Sequence, residues 1–176
     1  PQLVEAVSLG SIIPGDTLAA VTRTADFVTL SAAATAVFQG AAAAMRLVAT
    51  VGGASPNQRI VALSGNSPFL VTDAGDGTGL RFSASTGSSL VLSTTGVPGL
   101  CHLAVGWGAT GRIGAHAGAG AVTNATGVDR SLSTILLGSA SGLLSGQILR
   151  VRRLVGWALA ERPSAAGIQF QSRVET

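Results

Sequence analysis

Three stretches in the second half of the chain decide its fold. They read Leu100-Cys-His-Leu-Ala-Val-Gly-Trp107, Gly111-Arg-Ile-Gly-Ala-His-Ala-Gly118 and Leu143-Leu-Ser-Gly-Gln-Ile-Leu-Arg-Val-Arg-Arg153. Each is a short run rich in apolar residues, and glycines separate the runs, as expected of strands joined by tight turns. Short strands divided in this way are typical of an antiparallel β-sandwich or barrel.

The same rhythm extends back through the chain and predicts further strands. The predicted strands are Asp26–Leu30, Met45–Val51, Arg59–Ser64, Phe69–Thr72, Gly79–Ser85, Ser89–Ser93, Cys101–Trp107, Arg112–Ala117, Thr134–Leu137 and Gln147–Leu154. Residues 31–45 are rich in alanine, but the β-rich surroundings favour a loop before the Met45 strand rather than a helix. Residues 158–167 are predicted as a loop with at most one helical turn. We predict one sandwich over residues 23–176, preceded by an N-terminal arm over residues 1–22.

Composition limits the kinds of partner. Of 176 residues, 47% are hydrophobic and 11% are charged, so the chain can fill a core but has few charges for its surface. Such a surface suits packing against neighbours in an assembly, and a robust exterior of small residues is an equally plain interpretation. All 11 basic residues are arginine, and the formal net charge of +3 is a weak field that argues against a nucleic-acid partner. The single cysteine, Cys101, excludes a disulfide within the chain and is expected to be buried.

The chain shows no targeting or membrane-spanning pattern. No basic segment followed by an apolar run occurs at the N-terminus, and no stretch is long and apolar enough to cross a bilayer. We therefore expect a protein made in a bacterial cytoplasm without a signal peptide and without membrane insertion.

The order of the strand motifs resembles the concanavalin A-like lectin/glucanase family, including its LamG-like domains. His102-Leu-Ala-Val-Gly-Trp107 is similar to the family's His-x-Val-Ala-x-x-Trp strand, and Ser145-Gly-Gln-Ile-Leu-Arg-Val151 to its Asn-Gly-x-Ile-x-x-Val return strand. Asp26-Phe-Val-Thr-Leu30 and Arg59-Ile-Val-Ala-Leu-Ser-Gly65 resemble earlier strands. The resemblance implies an all-β jelly-roll sandwich with Trp107 in its core. It also implies carbohydrate or protein binding on the concave face or rim loops.

Catalytic carboxylates in the pattern of that family are missing from the sequence. Its glucanases place two carboxylates on one strand at Glu-x-Asp-x-(x)-Glu spacing, because acid and nucleophile must flank one glycosidic bond about 5 Å apart. The acidic residues of this chain are Glu5, Asp16, Asp26, Asp73, Asp76, Asp129, Glu161 and Glu175, and none forms the triplet. We therefore expect no catalytic residues and no enzyme activity, with a degenerate polysaccharide hydrolase as a minor alternative.

The turn Asp73-Ala-Gly-Asp76-Gly-Thr-Gly79 has two interpretations. An Asp-Gly pair is what a tight hairpin turn requires on geometry alone. Alternatively, the carboxylates of Asp73 and Asp76 and nearby carbonyl groups offer the oxygen ligands that Ca²⁺ prefers. No other metal or cofactor is predicted.

Two further features point to a ligand surface. Sugar sites place an aromatic face beside a few polar groups, and Trp157, near the end of the last strand, is the candidate for an exposed aromatic platform. In Arg150-Val-Arg-Arg153, a regular strand puts Arg150 and Arg152 on one face, with Val151 inward. Those guanidinium groups could bind an acidic polysaccharide or a neighbouring subunit, or form a solvated outer face.

The functional hypothesis is a non-enzymatic surface module of a bacteriophage or phage-like particle, such as a spike, fibre or decoration domain. A lectin-like fold without catalytic carboxylates, made without a signal peptide, suits a virion protein that attaches to host-surface glycans. Its predicted partners are other virion proteins and a host-surface polysaccharide. The first alternative is a purely structural assembly protein that binds no sugar. The sequence leaves a monomer and a homo-oligomer both open.

Overall fold

The computed structural model describes residues 28–39, 41–52, 59–63, 69–72, 77–83, 89–125, 135–137 and 149–174. The strands in these ranges are β1 (Val28–Thr29), β2 (Ala42–Val51), β3 (Arg59–Leu63), β4 (Phe69–Thr72), β5 (Leu80–Ser83), β6 (Ser89–Ser93), β7 (Gly99–Gly108), β8 (Gly111–His116), β9 (Val122–Asn124), β10 (Ile135–Leu137) and β11 (Leu149–Leu159). The helices are α1 (Ala32–Ala36) and α2 (Ala165–Gln171). The predicted arm over residues 1–22 lies outside the described residues.

The described strands form two antiparallel sheets. One has six strands in the order β1-β10-β3-β4-β5-β6, and the other has five in the order β11-β2-β7-β8-β9. The predicted all-β antiparallel sandwich is confirmed, and every predicted strand overlaps an observed one. Strand β9 is not predicted from the sequence, because its three residues are too short for an alternating pattern to show.

Helix α1 forms where the sequence predicts a loop. The hydroxyl oxygen of Ser31 accepts a hydrogen bond from the Ala34 amide at 3.3 Å and caps a helix built largely of alanine. Strand β2 then begins at Ala42 rather than at Met45. The predicted loop over residues 31–45 is therefore wrong at both ends, because a capping serine starts the helix and small alanine side chains extend the central strand.

The C-terminal tail is also more regular than predicted. Strand β11 continues to Leu159, and α2 has seven residues rather than a single turn. The Ser164 hydroxyl caps α2 by accepting from the Gly167 amide at 3.1 Å, and Ile168 buries the apolar side of the helix against the five-stranded sheet. These two contacts stabilise α2. The predicted loop over residues 158–167 is therefore confirmed between β11 and α2 and wrong at both of its ends.

The core lies between the two sheets and follows strand alternation. The inward side chains of β7 are Cys101, Leu103, Val105 and Trp107, and those of β2 are Ala43, Met45, Leu47, Ala49 and Val51. They meet buried side chains of the six-stranded sheet, among them Ile60, Leu80, Phe82, Leu90, Leu92 and Ile135. The predicted burial of Cys101 and Trp107 is confirmed, and burial raises the pKa of the Cys101 thiol to about 11.

An aromatic stack holds the centre of this core. Trp107 is 1% exposed, and the ring of Phe38, which follows α1, stacks on it at 5.9 Å with an interplanar angle of 17°. Phe82 from the opposite sheet lies 5.9 Å from the same indole, tilted by 53°. Phe38 itself fits over Gly156 of β11, where a Cβ atom would overlap the ring. One tryptophan therefore joins both sheets and the segment after α1.

Two basic side chains face inward from β8, an arrangement that the sequence does not predict. Arg112 pairs with Trp107 and is fully buried, with its guanidinium carbon 6.0 Å from the centroid of the Phe82 ring. Burial lowers the pKa of Arg112. His116 pairs with Leu103, and its imidazole lies beside Gly96. Burial, and then the charge of nearby His102, lower the pKa of His116 from its usual 6.5.

Replacing Gly156 with alanine should destabilise the protein because the new methyl group would displace Phe38 from the aromatic stack. Overpacking of this kind costs about 1–3 kcal/mol. Urea unfolding followed by tryptophan fluorescence measures the effect. Gly120→Ala is the matched control, since a Cβ atom there meets nothing within 4 Å. Equal stability of the two variants would contradict this account of the stack.

His116 should make folding stability depend on pH. Its pKa is lower in the folded chain than in the unfolded chain, so the unfolded chain binds more protons between the two values. The free energy of unfolding should therefore fall as the pH drops below about 6.5, and it should level off below the folded pKa. Urea titrations at a series of pH values measure this slope, and His116→Gln should flatten it. An unchanged slope in that variant would assign the effect to other groups.

Candidate functional site

The outer face of the five-stranded sheet carries the arginine and tryptophan residues singled out in the sequence. On β2, Met45 and Leu47 point into the core, so Arg46 between them points outward. Arg46 pairs with Val155 of β11, which therefore lies on the same outer face. The two strands provide a continuous outer surface.

A β-bulge in β11 determines which arginines reach that surface. Val151 pairs with Ala49 and Arg153 with Val48, so Arg152 is an extra residue without a partner position on β2. After the bulge the alternation is reset, and Arg150 and Arg153 both fall in the outward row. A regular strand would place Arg150 and Arg152 in one row; the bulge adds Arg153 to the outward row, and Val151 is buried as predicted. All three arginines are exposed.

The same residues have a structural effect on the sheet edge. Strand β11 ends the five-stranded sheet in the described strand order, and a long edge strand can pair with another chain. A bulge and charged side chains both discourage such pairing. Any functional role of these arginines therefore has to be separated by experiment from protection of the edge.

Trp157 lies on the outer face near the far end of β11. It pairs with Ala44, and it packs beside a second apolar cluster that includes Ala104, Ile113 and Ile168. The indole is partly buried, so it is neither a core residue nor a fully exposed platform. Gly156 next to it faces inward and admits Phe38, which is why the tryptophan of this Gly-Trp pair faces outward.

Helix α2 covers the other half of the outer face, over β7 and β8. Its approach is close, since a Cβ atom at Gly106 would overlap the ring of Pro163 just before the helix. Beyond the C-terminus of α2, the Arg46 guanidinium donates to the Arg173 carbonyl at 3.4 Å. The Arg173 guanidinium carbon lies 5.4 Å from the centroid of the exposed Phe170 ring. Beside α2, the outer face of β2 holds the partly exposed Arg46 between the buried Ala44 and Val48.

The predicted site residues are spread along the sandwich rather than gathered in one pocket. Arg150 pairs with Thr50 and Trp157 pairs with Ala44, a separation of about 20 Å at the rise of an antiparallel strand. Arg150 lies at the end of the five-stranded sheet where β7 begins. A ligand that contacts both Arg150 and Trp157 has to be an extended chain.

The Asp73–Asp76 turn can be followed only at its end. Asp73 and Asp76 lie outside the described residues, so the Ca²⁺ interpretation stays a prediction. Thr78 is described, and its carbonyl accepts from the Val97 amide at 3.0 Å, which places it beside the segment that leads into β7. The strands flanking this turn, β4 and β5, belong to the six-stranded sheet, whereas Trp157 lies on the five-stranded one.

Within the described ranges, the structure holds no group of three or more histidine, cysteine, aspartate or glutamate side chains placed to bind a metal ion. In the same ranges, no helix has the length and hydropathy needed to cross a membrane.

The chain is similar to known proteins in three-dimensional structure but not in sequence. No protein-family model matches the chain, and no curated protein sequence matches it. A sialidase of Trypanosoma rangeli, in complex with a difluorinated sugar acid, has a TM-score of 0.57 and 12% identity. That match covers 75% of this chain and 22% of the sialidase.

Toxin and receptor-binding structures show the same likeness. A structure of botulinum neurotoxin type C, which depends on two ganglioside molecules to enter cells, matches with a TM-score of 0.57 and 14% identity over 82% of this chain and 38% of its own. A further receptor-binding domain has a TM-score of 0.52 and 11% identity over 73% of this chain and 34% of its own. The chain thus spans well under half of these proteins, and it shares with them a β-sandwich fold.

Proposed function

We propose that this chain is a non-enzymatic glycan-binding module on the surface of a virion or phage-like particle. The observation that carries the proposal is the outer face of β2 and β11, where exposed arginines and a partly exposed tryptophan lie on one sheet surface. Sugar sites combine an aromatic face with a few polar groups in this way. The ganglioside dependence of a toxin with a similar sandwich favours the same class of ligand.

The residues present argue against hydrolysis by this chain alone. Most glycosidases use a pair of carboxylates, and sialidases use a tyrosine nucleophile. The chain contains no tyrosine, and Glu161 is the one carboxylate in the described ranges. The likeness to a sialidase also leaves most of that enzyme unmatched, since it covers 22% of its length. We therefore infer a binding role rather than a catalytic one.

The placement on a particle is supported by composition. Only 11% of residues are charged, which suits a protein packed among other chains. Exposed apolar side chains on both sheets and beside α2 favour the alternative of a purely structural role. They are Val91, Leu100, Val122, Phe170 and Val174. Binding to a sugar separates these two functions.

A glycan microarray with neutral and acidic members, probed with the full chain, tests the proposed function. We expect binding to a subset of glycans, and we expect Trp157→Ala to weaken it roughly two- to tenfold, the range of an aromatic contact. Val91→Ala is the control, because it removes an exposed apolar side chain from the other sheet. No binding to any glycan, together with co-sedimentation with the particle, would favour the structural alternative.

The full chain should hydrolyse neither a fluorogenic sialoside nor any member of a panel of polysaccharides. A sialidase added in parallel provides the positive control for the sialoside. Release of the fluorophore or of reducing ends at a rate proportional to protein concentration would contradict the non-enzymatic assignment.

A further inference from the structure

We propose that the outer face of β2 and β11 binds an extended glycan that carries carboxylate groups, held along the strand direction. This inference rests on the proposed glycan-binding function and names the class of glycan and its orientation. The surface, termed here the basic strip, consists of Arg46, Arg150, Arg152, Arg153 and Trp157.

Charge is the first argument. Four of the five residues of the basic strip are arginine, and the one described carboxylate, Glu161, lies beyond the end of β11. Arginine has a planar fork of N–H donors that matches a carboxylate with two parallel hydrogen bonds. A strip of such groups favours an acidic glycan over a neutral one.

The bulge gives the second argument. On a regular strand Arg153 would share the inward face with Val151, and a guanidinium there would have to be buried in the core. The extra residue, Arg152, lets Val151 stay buried while Arg150 and Arg153 both reach the outer row. The irregularity therefore concentrates exposed positive charge on one short segment of the sheet surface.

Spacing gives the third argument. Arg46 pairs with Val155, which is two residues along β11 from Arg153. Arg46 therefore lies one strand away from Arg153 and about 7 Å further along the strand direction. Trp157 follows at the next outward position of β11. The arginines occupy one end of the strip and the tryptophan the other, about 20 Å apart between Arg150 and Trp157. That length exceeds a single sugar ring and fits an oligosaccharide.

The segment that follows α2 positions the guanidinium of Arg46. Arg46 donates to the Arg173 carbonyl at 3.4 Å, so its guanidinium is held at the border between the strip and the tail after α2. Arg173 follows α2, whose packing on β7 and β8 leaves β2 and β11 beside it. The helix thus bounds the basic strip on one side, so a glycan bound there would run along the direction of β2 and β11.

Binding to matched polymers tests the inference. The probes are polysialic acid, polygalacturonate, neutral dextran of similar length, and a DNA duplex, each measured with the full chain by calorimetry at fixed physiological salt. We expect one or both carboxylated glycans to bind at least about tenfold more tightly than dextran or DNA. The double variant Arg150→Gln with Arg153→Gln should lose at least about tenfold in affinity for the carboxylated glycan, as expected when charge-assisted hydrogen bonds are removed.

Arg81→Gln is the matched control, since it removes the same charge from β5 of the other sheet. Retained binding in Arg81→Gln beside a loss in the double variant supports the basic strip, and the better of the two acidic polymers identifies the sugar acid. Equal binding to dextran, or equal loss in both variants, overturns the inference while glycan binding stands. Equal binding to DNA overturns it in favour of a general polyanion surface.

Light scattering on the double variant separates recognition from edge protection. If the variant self-associates but binds the acidic polymers as tightly as the parent, the arginines protect the edge of β11 and the inference fails. If the parent binds no glycan on the microarray either, the proposed function fails first, and the two failures remain distinct.

Discussion

The packing of Trp107 is the constraint on which the rest of the sandwich depends. Its indole contacts Phe82 from the six-stranded sheet and Phe38 from the segment after α1. The indole nitrogen is buried and has no hydrogen-bond partner within the described ranges. Phe38 in turn requires a glycine at position 156, which ties the long edge strand β11 to the same stack.

This packing has a consequence on the opposite surface. Because Gly156 must face the core, Trp157 faces outward, and the same alternation brings Val155 and Arg153 to the outer row. The bulge at Arg152 then keeps Val151 in the core while adding Arg150 to that row. The core and the basic strip are thus two faces of one strand, and the requirements of the first determine the composition of the second.

Much of the fold could be predicted from the sequence, because apolar runs between glycine turns are a local signal. The apolar strand around Cys101 predicts its burial, the resemblance to the lectin-like family implies that of Trp107, and the structure confirms both. The α1 helix was missed because five alanine-rich residues give no period, and their serine cap is a weak signal by itself. The inward position of Arg112 was missed because strand patterns predict arginine on the solvent side.

The candidate site was harder to predict than the fold. The sequence predicts Arg150 and Trp157 as binding residues, but a bulge is not visible in Arg-Val-Arg-Arg, so the prediction does not include Arg153. Arg46 was missed because its relation to Arg153 depends on the pairing of β2 with β11, two strands far apart in the chain. Long-range register, rather than local composition, assembles this surface.

The most direct test of the account is a titration of the ¹⁵N-labelled chain with a short polysialic acid or galacturonate oligomer, followed by amide NMR shifts. The account predicts that the shifting amides map to residues 150–159 of β11 and to the neighbouring positions of β2. Shifts confined to Gly77, Thr78 and residues 94–99 at the end of the sandwich would contradict it, and would assign the glycan to the loops instead of the sheet face.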